Sequence, residues 1–474
     1  MSVIEQAIIV FFLLFIICEG FFGFKKIENI NVFAVGRRSF STLSLWGTIT
    51  ATWISGSMFF INLQRVYFDG LKYYLPSFGM IISLIFVAFF ISPRVKRFLG
   101  KTSVAEVMRQ EYGEHVGSLT ALAGFIGISG IIAIQFKVFG QIGILFFASN
   151  DQDYFASAVI IISTIIILYT AAGGIQSVVK TDIIQLICFM IALPLVGISF
   201  YIAFQNSTVD ITSVEKFNIK KFILAKDFEW LPMIYLALYF TLPSLSASDF
   251  QRLTMGLSTK QSKNAYLLTA TALFFIKIIL VSFPIALYAI NSNLPKNDLL
   301  AYIMNHLTFI PFFKVILALG IIAMAMSTAD SYLNIGAVLI ANDFYFFKNT
   351  SDERKLTNAR ICTFILGATA ITLAILKEDL LSIVLFSNSF YMPIVTPILL
   401  ALLFNFKTTQ RCTLFTMLVS FLGIVIYKTV IDLDYNIIPP AMLLNIIVLF
   451  STHYIVEKWE LLKCFGIRSK LKEK

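Results

Sequence analysis

The chain has 474 residues, of which 58% are hydrophobic and only 14% charged, with a formal net charge of +10. Soluble domains carry about 25% charged residues, so this depletion, together with many long apolar runs, excludes a soluble globular protein and indicates a multi-pass membrane protein. The basic excess lies in short loops between apolar runs, which reads as cytoplasmic anchoring beside lipid rather than nucleic-acid binding.

The five cysteines (Cys18, Cys188, Cys362, Cys412, Cys464) are scattered without a CxxC, and His115, His306 and His453 lie far apart. Neither a disulfide framework nor a zinc site is expected. The first apolar run, Ala7 to Phe24, has no basic n-region and no small-x-small cleavage site. It reads as a retained first helix rather than a signal peptide.

Runs long enough to cross a bilayer fall near 5–24, 42–68, 73–92, 117–147, 154–171, 177–204, 229–247, 266–290, 312–341, 361–376, 380–404, 413–431 and 436–455, thirteen in all. The second reads LSLWGTITATWISGSMFFINLQ, and its middle, from Thr50 to Ser57, is dense in Thr and Ser and contains Gly56. Between the fifth and sixth lies YTAAGGIQSVVKTDIIQ, where Gly173 and Gly174 predict a short turn. Asp182, which follows, reads two ways. It is either a first-turn carboxylate favoured by the helix dipole or a group deeper in the helix, facing oxygens of the 327–331 stretch.

The seventh run, LPMIYLALYFTLPSLSASDFQR, carries Pro243 inside it, flanked by Ser244 and Ser246. Proline there removes a backbone hydrogen bond and clashes with the preceding turn. Interrupted backbone at membrane depth is tolerated where it lines a cavity or binds something. Setting the first run aside, these two breaks are five spans apart, the pattern of an inverted-repeat transporter with a midplane site. The eighth run contains Lys277, which either snorkels or pairs within the bundle, or meets a substrate carboxylate or offsets Asp330.

The ninth run contains IIAMAMSTADSYLN. Inserting its carboxylate alone costs about 2.5–3.5 kcal/mol. Ser327 and Ser331 are four apart and Thr328 and Ser331 three apart, so all share one helical stripe, which Asn334 extends. Hard cations take oxygen ligands of this kind. The alternative is that these hydroxyls bond back to their own helix and pack between helices. Asp330 aids a cation site, couples to a proton, or pairs with a basic residue.

Basic residues mark alternate loops: Lys25, Lys26, Arg37, Arg38; Arg94, Lys96, Arg97, Lys101, Arg109; Arg252, Lys260, Lys263; Lys348, Arg354, Lys355, Arg360; Lys407, Arg411; and the tail from Lys458 to Lys474. The positive-inside rule places the N-terminus outside and the C-terminus inside, as an odd number of spans requires. The segment 205–228 is expected to be an external connection, and the basic tail to lie beside anionic lipid.

Together ATWISGS, YTAAGGIQSVVKTDIIQ, SDFQRL and MSTADSYLN resemble the sodium/solute symporter family, whose members carry proline, pantothenate, sialic acid and sugars with sodium. The resemblance runs from about residue 30 to 430. It implies an all-α membrane protein with a leucine-transporter-like inverted repeat of five helices plus five. The whole chain is then one transporter domain, with core repeats at roughly 42–204 and 229–404 and peripheral helices at 5–24, 413–431 and 436–455. It also implies a principal sodium site from the carbonyls of Ala51, Ile54 and Met324 and the hydroxyls of Ser327 and Thr328. A second sodium site, found in some members, would use Asp182 with Ser327 and Ser331, although Asp330 stands where such members have serine. Met324 replaces an alanine common there, which leaves its carbonyl available.

Substrate candidates are Trp53, Ser55, Ser57 and Met58 at the first break, Gln135, and Tyr239, Thr241 and Ser244 around the second. Proline carriers of the family have tryptophan at the place of Ser57, which argues against proline. The expected function is sodium-coupled import of a small organic solute, such as an amino acid or carboxylate, by alternating access. The expected setting is a plasma membrane, bacterial inner membrane, with the monomer as functional unit. Alternatives are a proton-coupled carrier on the same fold and a transporter-like solute sensor. The chain ends about twenty residues after its last span, too few for a signalling kinase. No nucleophile–base pair stands out, so no enzyme is expected.

Overall fold

The computed structural model describes residues 2–22, 27–147, 152–207, 209–223, 230–243, 245–344, 350–376, 380–431 and 437–464. Among these the only regular structure is helical. In lipid this follows from the backbone, because a helix satisfies its own N–H and C=O groups.

The chain begins with α1 (Val3–Phe22) and the short α2 (Ile30–Val35). The second apolar run splits into α3 (Thr42–Trp53) and α4 (Gly56–Asp69). Next come α5 (Leu71–Ser77) and α6 (Gly79–Phe86), which runs on through tighter and wider turns to Phe98. The amphipathic α7 (Val104–Tyr112) leads into α8 (Glu114–Phe147). The stretch α9 (Gln152–Gln205) contains the fifth and sixth runs, joined at Gly174 with φ 53°. A Cβ there would stand 2.7 Å from the Phe33 ring and 2.8 Å from its carbonyl oxygen, so only glycine allows this bend against α2.

After the short α10 (Ile219–Ile223), the seventh run is again divided, into α11 (Trp230–Thr241) and α12 (Ala247–Met255). The remainder is α13 (Thr259–Ile290), α14 (Leu299–His306), α15 (Phe313–Asp343), α16 (Asp352–Leu376), α17 (Leu380–Leu403), α18 (Gln410–Ile426) and α19 (Ile438–Cys464).

Ten helices among the described residues are long and apolar enough to cross a membrane, against the thirteen runs of the sequence. The difference has a physical origin. Two runs are broken into halves of 14 residues or fewer, and two others meet at the non-helical Gly174 with no loop between them and so count as one.

At the centre is α15, packed against α8, α9, α16, α3 and α4. Within its apolar window 83% of the residues are buried, against 17% in α1, which therefore lies at the periphery. The core is one continuous apolar cluster drawn from nearly every long helix.

Polar ties close one end of the bundle. Gly100 N–H donates to the Thr254 carbonyl at 2.8 Å, and the Arg38 guanidinium donates to the Gly256 carbonyl at 2.9 Å. Arg109 pairs with Asp343 at 3.0 Å, and the Ser103 hydroxyl also donates to Asp343. At α7, burial raises the pKa of Glu106, but hydrogen bonds from the Thr102 amide and hydroxyl and from Lys101 outweigh it. The carboxyl therefore sits below its ordinary value.

Candidate functional site

The first break begins where α3 stops. Ile54 leaves the helix with φ −94° and ψ 84°, its amide still bonded to the Thr50 carbonyl. Ser55 is extended, and its hydroxyl caps α4 by accepting from the Met58 amide at 3.1 Å. The last carbonyls of α3 have lost the amides that a continuing helix would supply.

Hydroxyls from α15 replace them. Ser327 donates to the Ala51 carbonyl at 2.8 Å and lies 3.1 Å from the Met324 carbonyl. Thr328 reaches the Thr52 carbonyl at 3.2 Å and the Met324 carbonyl at 3.1 Å. Ala51, Ile54, Met324, Ser327 and Thr328 are all buried here. Close approach depends on Gly56, where a Cβ would fall 2.7 Å from the Ala325 Cβ.

One turn further along α15 the chemistry changes from neutral to ionic. Arg252, fully buried on α12, donates to the hydroxyls of Ser248 at 2.7 Å and Thr48 at 3.3 Å, and to Ser331. Its guanidinium stands 3.8 Å from Asp182, which also accepts from Thr48. Asp330, beside Ser331 on α15, accepts from Tyr169 at 2.7 Å and Thr181 at 3.2 Å. Among the described residues, Asp182 Oδ1 and Asp330 Oδ1 have no hydrogen-bond partner. The structure thus resolves the two readings of Asp182: it lies deep in the bundle, facing α3 and α12 as well as Ser331.

Both breaks open onto one cavity of about 170 Å³. Its wall includes Trp53, Ser55, Ser57, Gln135 and Tyr239, together with Thr52 and Thr328 from the carbonyl–hydroxyl cluster. Gln135 holds the start of α4 with both ends of its amide, accepting from the Ser57 amide at 3.2 Å and donating to the Ser57 hydroxyl at 2.8 Å. Tyr239 accepts from Asn388 at 2.8 Å. Met58 and Thr241 stand outside this lining; Thr241 instead faces Gly79, where a Cβ would lie 2.6 Å from its hydroxyl. Ser244 lies outside the described residues.

The second break mirrors the first. Ser246 caps α12, accepting from the Asp249 amide at 3.1 Å and donating to the Asp249 carboxylate at 2.7 Å. The other carboxylate oxygen accepts from the Trp53 indole at 2.8 Å, tying the two breaks together. Sequence reasoning passed over Asp249 and Arg252 as site residues. Both lie in SDFQRL, and a carboxylate and a guanidinium at membrane depth were the available signals. Lys277 lies away from the cavity, 5.9 Å from the Phe78 ring centroid.

The sodium:solute symporter family model matches residues 33–420. A high affinity choline transporter 1 of Homo sapiens is 26% identical over 434 residues, 84% of this chain and 72% of its own length. The sodium/sialic acid symporter NanT of Aliivibrio fischeri is 24% identical over 362 residues, 70% of this chain and 69% of its own. The high-affinity proline transporter PutP of Bacillus subtilis is 23% identical over 452 residues, covering 89% and 92%. A solved structure of a sodium-coupled sialic acid symporter, substrate-bound and outward-open, matches with a TM-score of 0.81 over 96% of this chain and 97% of that one, at 18% identity. That likeness gives the fold, an all-helical leucine-transporter-like bundle. By these matches and by its bundle of apolar helices, the chain belongs to the sodium:solute symporter family and is a multi-pass membrane transporter rather than an enzyme.

Proposed function

We propose that the protein imports a small organic solute together with sodium by alternating access. The observation that carries this reading is the meeting of the first break with α15, where the Ser327 hydroxyl reaches the Ala51 carbonyl at 2.8 Å. Main-chain and hydroxyl oxygens there offer a hard monovalent cation several ligands without a fixed counter-charge. Sodium entering would take up the carbonyls of Ala51, Ile54 and Met324 and turn the two hydroxyls so that their lone pairs face it.

The solute binds in the adjoining cavity. Thr328 belongs to both places, as a hydroxyl of the cluster and as part of the cavity wall. Sodium thereby fixes the position of α3 against α15 and completes the solute site. Coupling is a difference in affinity between two conformations. One sodium ion moving down 100 mV supplies about 2.3 kcal/mol, before its concentration gradient. The core repeats are 42–204 and 229–404. The polar ties around Arg38, Thr254 and Asp343 close the basic end, which charge places in the cytoplasm. The setting is a bacterial inner membrane, the N-terminus is outside, and the functional unit is a monomer.

Relatives carrying choline, sialic acid and proline leave the solute open. Sodium-dependent uptake into proteoliposomes, with potassium as replacement, tests the coupling. Uptake that is equal in both salts sinks it. A second reading, proton coupling, is favoured by two fully buried carboxylates, Asp182 and Asp330, of which only Asp182 stands within 3.8 Å of the Arg252 guanidinium. Uptake driven by a pH gradient in potassium alone supports that reading.

A further inference from the structure

Resting on the reading of this cavity as the solute site, we infer that the transported solute is a small organic cation with an ammonium centre. The wall contains one carboxylate, Asp249, and among the described residues no lysine, arginine or histidine. The nearest guanidinium along α12, that of Arg252, is turned to Ser248, Thr48, Ser331 and Asp182. The fixed charge facing the solute is therefore negative. An anionic solute would approach a buried carboxylate in a low-dielectric wall, where like charges repel strongly.

The apolar part of the wall suits a cation as well. Trp53, Tyr239, Phe240 and Tyr332 contribute four aromatic rings. Aromatic faces attract ammonium groups, most strongly when the cation is desolvated, and such rings are a recurrent means of recognising quaternary ammonium ligands. Trp53 is held in place by its bond to Asp249 at 2.8 Å, so ring and charge are presented together. The N-cap bonds of Ser246 fix the carboxylate at the start of α12, which explains its position; an asparagine would cap there without the charge.

Volume limits the size. An enclosed space of about 150 Å³ accommodates benzene. A cavity of about 170 Å³ therefore matches a solute of similar bulk rather than a sugar acid. The polar groups of Ser55, Ser57 and Asn388 along the same wall suit a hydroxyl or amide on the solute's other end.

The test uses the purified full chain and isothermal calorimetry in sodium and in potassium. The probes are choline, its neutral carbon isostere 3,3-dimethyl-1-butanol, proline and lactate. We expect choline to bind at least tenfold more tightly than the neutral isostere, and lactate not to compete. Asp249→Asn should remove at least tenfold of the choline affinity while leaving the isostere's affinity within twofold. Equal binding of choline and its isostere, competition by lactate, or the absence of any response to choline overturns the inference. So does a folded Asp249→Asn protein with unchanged choline affinity. The isostere comparison needs no variant, so it decides even where Asp249→Asn does not fold. Choline binding that is indifferent to sodium supports the cation inference and removes the sodium coupling, which separates the two failures.

Discussion

Two clusters one turn apart on α15 deal with buried oxygens in opposite ways. At Ser327 and Thr328, hydroxyls face the unpaired carbonyls of a broken helix, and nothing there carries a formal charge. At Ser331 the neighbours are Asp182 and the guanidinium of Arg252. The first arrangement carries no charge of its own, so nothing in it repels a cation from outside. The second already holds a cation belonging to the protein. Of the oxygens that resemblance assigns to a second sodium, those of Asp182 and Ser331 are thus engaged by Arg252, while that of Ser327 belongs to the neutral cluster. The lesson is that oxygen ligands alone do not define an ion site: the local charge decides whether an added ion is attracted.

The sharpest way to break the comparison is Arg252→Met. Removing one partner of a buried ion pair leaves an uncompensated charge and costs about 3–5 kcal/mol. A large fall in the thermal midpoint is expected in detergent, and adding Asp182→Asn should restore part of it. Sodium stabilising the Arg252→Met variant more than the wild type would mean that the second cluster accepts an ion once vacated.

Gly56→Ala comes next. Its Cβ would stand 2.7 Å from the Ala325 Cβ, so α4 must move off α15. Overpacking of this kind costs about 1–3 kcal/mol. Weaker sodium stabilisation should accompany it, read as a smaller sodium-induced rise in thermal midpoint.

Ser327→Ala probes the neutral cluster alone. The half-saturating sodium concentration should rise about tenfold, or about 1.4 kcal/mol. In potassium its stability should change by only about 1 kcal/mol, the net worth of an ordinary hydrogen bond. A sodium titration of uptake or of thermal midpoint measures it, and an unchanged sodium midpoint counts against the site.

At the small end is Glu28→Gln, which breaks the surface pair with Arg37 at 2.9 Å. The two side chains are 63% and 41% exposed, so at most about 0.5 kcal/mol is expected, lost in high salt. A larger effect on sodium affinity would show that the neutral cluster is coupled to distant charge.

Much of the site was legible in the sequence because its causes are local. Thr, Ser and Gly56 in the second run and Pro243 in the seventh weaken helix continuity wherever they occur, and α3 and α11 end beside them. The spacing of Ser327, Thr328 and Ser331 places them on neighbouring faces of any helix. Their division between two clusters was not legible. Thr328 meets the Thr52 carbonyl of α3, while Ser331 meets the Arg252 guanidinium of α12 as well as the Thr52 hydroxyl. Gly174 shows a milder case: a turn is expected there, and the chain does leave helical geometry at Gly174, but within a single residue, because Phe33 presses on the one position without a side chain.

From its own amino acids the chain determined its solvent, its spans and the places where helices break, since hydrophobicity and backbone propensity act between near neighbours. Tertiary structure alone decided which carboxylate receives Arg252, which one faces the cavity and which one bonds to Tyr169. Those pairings join residues far apart along the chain, Arg252 with Asp182 at 70 positions and Tyr169 with Asp330 at 161. They form only when packing of the apolar faces has brought the helices together. Charge at membrane depth announces that a partner must exist; the packed bundle selects which one.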